Sequence, residues 1–183
     1  MSIFRESRSN PTSTLSRSTQ RCSNREILSR CGSAKKGRSC TNNNNEREAV
    51  RWYLQGTRDA RTAGRNSHNG DYEVACFLYQ QAAEKVLKAF LYLKGENPVL
   101  GHSTLKPAER AVAYEPTFRN ALDACRDLDV FYVPTRYPSG IPDGAPFEYF
   151  RLQHAEKASR AFDEVHAVVR VSLDPLTPNT DHT

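Results

Sequence analysis

The sequence of 183 residues lacks any apolar run that approaches the ~20 residues that a membrane-spanning helix needs. Its N-terminus has no apolar stretch typical of a secretory signal, and an odd count of five cysteines without such a signal favours a reducing compartment. No Cys-x-x-Cys pair occurs, and no histidine lies among Cys22, Cys31 and Cys40, so we predict no metal site. Strand patterns are also absent. These absences favour a cytoplasmic, helical protein without a membrane segment.

The charge of the chain is unevenly distributed. Residues 1–45 contain nine Lys and Arg against two acidic residues, whereas residues 46–183 contain seventeen against nineteen. The formal net charge of +5 therefore comes from the N-terminal tail, and the rest of the chain is slightly acidic. A pI of about 9.0 is typical of nucleic-acid-binding proteins, but only this tail could attract phosphates in general. We therefore expect no nucleic-acid binding by the folded part.

Composition divides the chain into three parts. Residues 1–45 hold ten Ser and seven Arg with almost no apolar periodicity, and such a segment cannot bury enough surface to offset its chain entropy. We interpret it as a disordered basic tail, or as an over-extended gene start. Residues 46–173 show helical periodicity and form the predicted domain, and residues 174–183 are predicted to be a flexible C-terminal tail.

The segment from Cys76 to Leu91 is apolar around most of a helical surface, which is typical of the central helix of a bundle. Its polar residues share one narrow stripe at steps of three and four, namely Gln80, Gln81, Glu84, Lys85 and Lys88. This helix is predicted to follow an N-cap at Asp71 and to stop at Gly95. The other predicted helices run from Glu46 to near Gly64, briefly after Ser103 with an interruption at Pro107, from Pro116 to about Leu128, and over 147–172. The fold class is all-α, an antiparallel four-helix bundle.

Four segments together resemble the HEPN family, small four-helix-bundle proteins of bacteria and archaea. In chain order they are Glu-Ala-Val-Arg-Trp at 48–52, Gln-Gln-Ala-Ala-Glu-Lys at 80–85, Gly-His-Ser at 101–103, and the loop at 129–138, which contains Tyr-x-Pro-x-Arg-Tyr-Pro. The loop is the segment most specific to the family, because nothing in helix packing requires that amino-acid sequence. The resemblance implies the same bundle fold for residues ~46 to ~172.

The resemblance also makes RNA cleavage a candidate function, because many HEPN proteins are RNases that pair an arginine with a histidine at a short spacing. Arginine stabilises charge on a phosphoryl group and histidine transfers the proton. Here the arginine is Arg136, and Ile141, Pro142 and Asp143 occupy the places where the histidine would stand. Since none of these side chains can replace it, we predict no catalytic residue.

What remains resembles the non-nuclease branch with the Arg-Tyr-Pro loop, which is linked to nucleotide binding and to a minimal nucleotidyltransferase partner. Arg136 offers a planar fork for a phosphate or carboxylate, and Tyr132 and Tyr137 offer hydroxyls and ring faces. Asp129 could orient Arg136. Lys85 could add positive charge if the loop folds over the second helix.

Three hypotheses follow from the sequence. The first is a non-catalytic, homodimeric module that binds a nucleotide or a minimal nucleotidyltransferase, as in a toxin–antitoxin pair, with no cofactor. The second is a toxin-like, metal-independent RNase that uses Arg136 and an unrecognised proton acceptor. The third is a scaffold without a ligand, in which Arg136 only pairs with Asp129 or Glu84 and the tyrosines plug the end of the bundle. In every case Glu84 and Lys88 are interpreted as an i,i+4 pair on the surface.

Overall fold

The computed structural model describes residues 40–177, and within this range it contains helices and turns but no strand. The predicted all-α fold is confirmed. None of the helices in this range is both long and apolar enough to cross a bilayer. Residues 1–39 of the predicted basic tail and residues 178–183 of the predicted C-terminal tail lie outside the described residues. The helices are α1 (Cys40–Asn69), α2 (Tyr72–Leu93), α3 (Leu105–Ala111), α4 (Leu122–Asp129), α5 (Pro146–Tyr149) and α6 (Leu152–Leu173).

Helix α1 is longer than its predicted counterpart at both ends. It begins at Cys40 rather than at Glu46, and it continues past its predicted end near Gly64 as far as Asn69. The chain reverses only at Gly70, whose φ of 93° is a conformation that favours glycine. The spacing of apolar residues predicts one buried face for this helix, and on it Ala49, Tyr53 and Ala63 are buried while Trp52 and Ala60 are partly buried.

Helix α2 is the central helix of the domain, as its apolar pattern predicts. It contacts α1, α3, α4 and α6, and its largest fully buried side chains are Leu87, Phe90 and Leu91. Asp71 occupies the predicted N-cap position, although its side chain accepts no capping hydrogen bond. The helix ends as predicted before Gly95, which adopts a φ of 90°. Burial on all sides explains why so little of this helix is polar.

Helices α3 and α4 are short and lie on either side of a 3-10 segment, Pro116–Ala121. Pro107 does not interrupt α3, because it lies in the first turn, where its missing N–H needs no partner within the helix. Pro116 starts the 3-10 segment, and Phe118 within it is fully buried against Phe90, with ring centroids 4.5 Å apart. The predicted helix from Pro116 is therefore a 3-10 turn that continues into α4.

The predicted final helix at 147–172 is wrong at its start. The chain forms a single turn, α5, and then extends at Phe150 and Arg151 before α6 begins at Leu152. The break carries the Phe150 side chain into the core, where it lies 6.2 Å from the Phe131 ring. Arg151 N–H then donates to Nδ1 of His154 at 2.9 Å, so a side chain caps the new helix. The apolar spacing of this segment predicts an inner face, and all of its members are buried: Phe150 before α6 begins, and Ala155, Ala158, Phe162, Val165, Val169 and Leu173 within α6.

Cys76 and Cys125 are buried in the core, where they pack as small apolar residues. Burial raises the pKa of the Cys76 thiol to about 12, and nearby Glu73 adds to this shift. Burial likewise raises the pKa of Cys125 to about 12, against a smaller lowering by its hydrogen bond with Thr104. Both groups therefore stay protonated near neutral pH and are poor nucleophiles.

Candidate functional site

The loop that follows α4 folds into a compact turn around two buried residues. Phe131 is buried, and the hydroxyl of buried Thr135 donates to the Phe131 carbonyl at 2.6 Å. The backbone N–H groups of Arg136 and Tyr137 both donate to the Val133 carbonyl. The next turn packs closely on the loop, because a Cβ at Gly140 would lie 2.7 Å from the backbone of Pro134. These contacts hold Arg136 in a defined place although its own side chain is exposed.

Arg136 lies against three aromatic rings. Its guanidinium carbon is 4.3 Å from the ring centroid of Tyr132, 4.8 Å from that of Phe77 and 5.1 Å from that of Tyr137. Each such contact is worth about 0.5–1 kcal/mol at an exposed site. Its Nε donates to the Tyr132 carbonyl at 2.9 Å, which fixes the plane of the fork. We call these four residues, together with His102, the Arg136 cluster.

The outer edge of the Arg136 guanidinium, formed by its two Nη atoms, has no partner among the described residues. No carboxylate in the range 40–177 forms an ion pair with it, and no group in that range accepts a hydrogen bond from its Nη atoms. The predicted structural alternative, an ion pair with Asp129 or Glu84, is therefore wrong. An arginine held by its Nε and its ring contacts keeps two Nη groups for an external phosphate or carboxylate.

His102 joins the cluster from another loop, the one that contains the Gly-His-Ser segment at 101–103. Its ring is stacked on that of Tyr132, with centroids 5.1 Å apart and an interplanar angle of 15°. Its Nδ1 lies 3.6 Å from Oε1 of Glu84, while 64% of its side chain stays exposed. The Gly-His-Ser segment at 101–103 is the sequence signal that could have identified His102 as a residue of this site. The stack brings a histidine and Arg136 to the same tyrosine.

Three members of the polar stripe of α2, namely Gln80, Glu84 and Lys88, are buried, which corrects the interpretation of Glu84 and Lys88 as a surface pair. Lys88 Nζ donates to Oε1 of Glu84 at 2.7 Å and to the Gly101 carbonyl at 2.8 Å. Gln80 donates to the His102 carbonyl at 2.7 Å. The two exposed residues Gly101 and His102 are thus attached by their backbone to buried side chains of α2. Such a network rigidifies its surroundings because every member has a partner.

Asp129 does not orient Arg136, contrary to the sequence prediction. Its carboxylate accepts from the hydroxyl and the N–H of Thr104, from the hydroxyl of Ser103 at 2.6 Å, and from the N–H of Leu105. These groups lie at the start of α3, so Asp129 satisfies the free N–H groups of that helix and connects it to α4. Its role in the structure is to fix the 101–104 segment, which holds His102.

Lys85 also lies apart from the Arg136 cluster. Its Nζ forms an ion pair with Asp59 of α1 at 2.8 Å, and both side chains are largely buried between α1 and α2. Of the five predicted ligand-binding residues, the structure brings together Tyr132, Arg136 and Tyr137, and it uses the other two elsewhere. Phe77 also belongs to the cluster, but the sequence did not identify it. In the sequence it is one of many apolar residues of α2, and nothing distinguishes it from those in the core.

The described residues contain no group of three or more His, Cys, Asp or Glu side chains that could hold a metal ion. Side chains that could hold a nucleotide or a protein carboxylate are present in the Arg136 cluster, as a guanidinium fork and two tyrosines. The arrangement offers positive charge and ring faces on a surface that is rigid underneath. This chemistry suits recognition of a phosphate, a base or an acidic side chain.

Comparison with known proteins agrees with this architecture. The model of the HEPN domain matches residues 49–174. The crystal structure of TT1696 from Thermus thermophilus is 32% identical with a TM-score of 0.62, and the match covers 68% of this chain and 97% of that one. The crystal structure of ST0689, an archaeal HEPN homologue, is 31% identical with a TM-score of 0.58, over 69% of this chain and 98% of that one. The comparison with curated proteins finds no match.

Proposed function

The chain belongs to the HEPN domain family, and we propose that it is a non-catalytic binding module whose Arg136 cluster recognises a partner protein. The partner that the Arg-Tyr-Pro loop implies is a minimal nucleotidyltransferase. The observation that carries the proposal is the exposed guanidinium of Arg136, which stacks on three rings and has no carboxylate partner in the described range. Arginine and tyrosine in such a setting are the residue types that dominate protein interfaces.

The segment of chain that contains Arg136 supports a protein partner because it exposes several large apolar side chains. Val130 is 65% exposed, Tyr137 51% and Phe147 66%, and all of them lie in the segment from the end of α4 through α5. Val133 and Tyr149 in the same segment are also exposed. A concentration of exposed apolar residues around a charged anchor is typical of interaction sites. An acidic side chain of the partner would complete the free edge of the guanidinium fork.

A nucleotide is the other ligand that fits the same chemistry. Its phosphate would accept hydrogen bonds from the Nη atoms of Arg136, and its base would stack on the ring faces of Tyr132 and Tyr137. A thermal-shift titration of the full chain with a panel of nucleotides tests this form of the proposal, since a ligand that binds only the folded state raises the melting temperature. The shift should disappear in Arg136→Ala.

Co-expression tests the protein form of the proposal. A tagged full chain is purified together with a minimal nucleotidyltransferase from the same genome, as wild type, Arg136→Ala and Arg160→Ala. Arg160 is an exposed arginine on α6 and provides a matched control. We expect the wild type and the control to retain the partner, and Arg136→Ala to lose it. Retention by all three variants would exclude the Arg136 cluster as the site.

RNA cleavage is the second candidate function, and the position of His102 is the observation that favours it. Sequence reasoning left the proton acceptor unidentified, and the structure stacks His102 on the tyrosine that also contacts Arg136. Glu84 lies 3.6 Å from Nδ1 of His102 and could orient the ring. In this mechanism Arg136 stabilises the phosphoryl charge and His102 transfers the proton.

Purified protein separates the candidates directly. An RNase loses activity in both Arg136→Ala and His102→Ala, and it needs no metal. A binding module cleaves no RNA as wild type, and a scaffold without a ligand shows neither cleavage nor binding, so that Arg136→Ala changes only its stability. The homodimer remains a prediction from the sequence, and light scattering of the purified chain measures it.

A further inference from the structure

All five arginines of α1 lie on the face of that helix that points away from the domain core. Successive residues of an α-helix are about 100° apart, so the five fall within an arc of about 80°. We call them the α1 arginine row: Arg47, Arg51, Arg58, Arg61 and Arg65. Their side chains are exposed, whereas the opposite side of the helix holds its buried residues, Ala49, Tyr53, Gly56 and Ala63. The outer face of α1 is therefore a basic surface.

No acidic residue of α1 lies within this arc. The three acidic residues of the helix lie on its flanks, namely Glu46, Glu48 and Asp59. Glu48 pairs with Arg51 at 2.8 Å, and Asp59 pairs with Lys85 of α2. The other four members of the row form no ion pair with any residue in the range 40–177. Four of the five charges in the row are thus not offset by a partner there.

Acidic residues of other elements offset the row near Arg61, which shares a surface groove with Asp163 and Asp174. Arg170 lies in the same neighbourhood, because it and both carboxylates affect the pKa of His166, which burial lowers. Two arginines and two carboxylates leave no net charge in this groove. The positive excess of the α1 arginine row therefore comes from the unpaired arginines on the midline of the arc: Arg47, Arg58 and Arg65.

Helix stability does not explain this arrangement. Arginines four residues apart, as at 47 and 51 and at 61 and 65, repel each other and destabilise a helix. Helix α6 shows the arrangement that stabilises an exposed face, because its charged residues are of mixed sign: Glu156, Lys157, Arg160, Asp163, Glu164 and Arg170. A helix that keeps five exposed arginines on one face, in spite of their repulsion, is typical of a surface that binds a polyanion.

The length and chemistry of the row fit a nucleic-acid duplex. Arg47 and Arg65 are about 27 Å apart along the helix axis, and a B-DNA duplex carries about sixteen phosphates over that length. Guanidinium groups bind phosphates through paired hydrogen bonds. The arc contains no aromatic side chain on which an unpaired base could stack, and such side chains are what single-strand binding surfaces use. Paired bases with phosphates on the outside therefore fit this surface better than a single strand does.

We propose that the α1 arginine row binds the phosphate backbone of double-stranded DNA without reading its sequence. The slightly negative sum for residues 46–183 predicts no such binding, but that sum includes acidic residues that lie on other faces and other helices. The basic tail directly precedes the row in the sequence and adds charge of the same sign. The proposal goes beyond partner binding at the Arg136 cluster, which shares no residue with the row.

A labelled DNA duplex of about 20 base pairs, titrated with the full chain between about 50 and 200 mM NaCl, measures the interaction by fluorescence anisotropy. A variant with Arg47→Gln, Arg58→Gln and Arg65→Gln removes three charges and keeps three long polar side chains. We expect it to bind the duplex at least about tenfold more weakly than wild type. The slope of log affinity against log salt should fall by about 2–3, because each lost phosphate contact removes about 0.9.

A control variant removes the same charge from exposed arginines outside α1: Arg119→Gln, Arg126→Gln and Arg160→Gln. Because the basic tail and the net charge are the same in both variants, the control should keep the wild-type slope and bind within about twofold of wild type. Equal effects of the two variants would overturn the proposal, and so would no binding of the duplex by wild type. Arg136→Ala should bind the duplex as wild type does, so a failure here is distinguishable from a failure of the proposed partner site.

Two further ligands test the choice of a duplex. A single strand of the same length should bind more weakly, and equal or tighter binding would contradict the assignment. Binding to vesicles of equal parts phosphatidylcholine and phosphatidylserine that depends on the row, with none to the duplex, would overturn it in favour of a lipid surface. Circular dichroism should show that the variant of the row melts no lower than wild type, since it loses like-charge repulsion. A lower melting temperature would contradict the repulsion on which the argument rests.

Discussion

Lys88→Met should lower the free energy of unfolding by about 3–5 kcal/mol, because it leaves the carboxylate of Glu84 buried without its cation. The side chains of Lys88 and Glu84 are only 7% and 6% exposed, and their charged atoms lie 2.7 Å apart. Methionine keeps the length and apolar character of the lysine stem, so the packing of α2 changes little. The variant also removes the donor to the Gly101 carbonyl.

Melting of the full chain, followed by far-ultraviolet circular dichroism, measures the loss. For a domain of this size each kcal/mol corresponds to about 3–4 °C, so the melting temperature should fall by about 9–20 °C. The double variant Glu84→Leu with Lys88→Met should recover part of this loss, because it removes both charges and leaves no buried ion. Urea unfolding gives the free energy directly from the midpoint and slope.

The pair Glu156 and Arg160 on α6 supplies the control. It has the same i,i+4 spacing and order, but its side chains are 54% and 69% exposed and its charged atoms are 4.0 Å apart. Arg160→Met should therefore change stability by less than about 0.5 kcal/mol. If Lys88→Met costs no more than Arg160→Met, the ion pair is solvated in the protein and the description of a buried stripe is wrong.

Three further predictions concern helix contacts and acid sensitivity. Gly56→Ala should cost about 1–3 kcal/mol, because its Cβ would lie 2.7 Å from Cγ1 of Val86 where α1 meets α2. Asp129→Ala should cost about 2–3 kcal/mol and loosen the 101–104 segment, because it removes the carboxylate that holds the start of α3. His166→Gln should make stability less acid-sensitive. As pH falls below the ordinary His range the unfolded state binds a proton that the folded ring resists, so wild-type stability decreases.

Each of these predictions has a measurement and a control. Gly64→Ala is the control for Gly56→Ala, because the nearest atom to a Cβ added at Gly64 is 3.6 Å away. The melting temperature should fall much less in Gly64→Ala than in Gly56→Ala. Amide hydrogen exchange at 101–104 should rise in Asp129→Ala and stay unchanged in Asp123→Ala, since the Asp123 side chain is 95% exposed. The free energy of unfolding is measured from about pH 7.5 to 5.5 for His166→Gln and for the control His68→Gln, in which an exposed histidine is replaced. The charged and hydroxyl groups around His166 stay unchanged in both variants, namely Tyr53, Asp163, Arg170 and Asp174. Parallel curves for both histidine variants would contradict the burial of His166.

The fold was predictable from the sequence because periodicity reports burial directly. The helical core segments, the stop at Gly95 and the inner face of α6 all follow from apolar spacing and from glycine. The break at Phe150 could not be predicted, because neither Phe150 nor Arg151 disfavours a helix on its own. It forms because the core beside Phe131 accepts a large ring, and only the folded chain supplies that space.

The candidate site was predictable only in part. Tyr132, Arg136 and Tyr137 lie within one short loop, so local sequence already brings them close together. Asp129 and Lys85 were assigned on proximity in sequence or on shared charge, but their partners come from α3 and from α1. Charged residues at helical spacing ordinarily face water, and nothing local shows that a distant loop covers them. Tertiary contacts therefore decided which predicted residues reach the site.

Isothermal titration calorimetry of this chain with a purified minimal nucleotidyltransferase, as wild type and as Arg136→Ala, measures the proposed interaction itself. Truncation of a central interface arginine costs about 2 kcal/mol or more, so we expect at least about 30-fold weaker binding by the variant. Arg160→Ala should bind as the wild type does. Equal affinity of wild type and Arg136→Ala, or no binding by the wild type, would contradict the claim that the Arg136 cluster binds this partner.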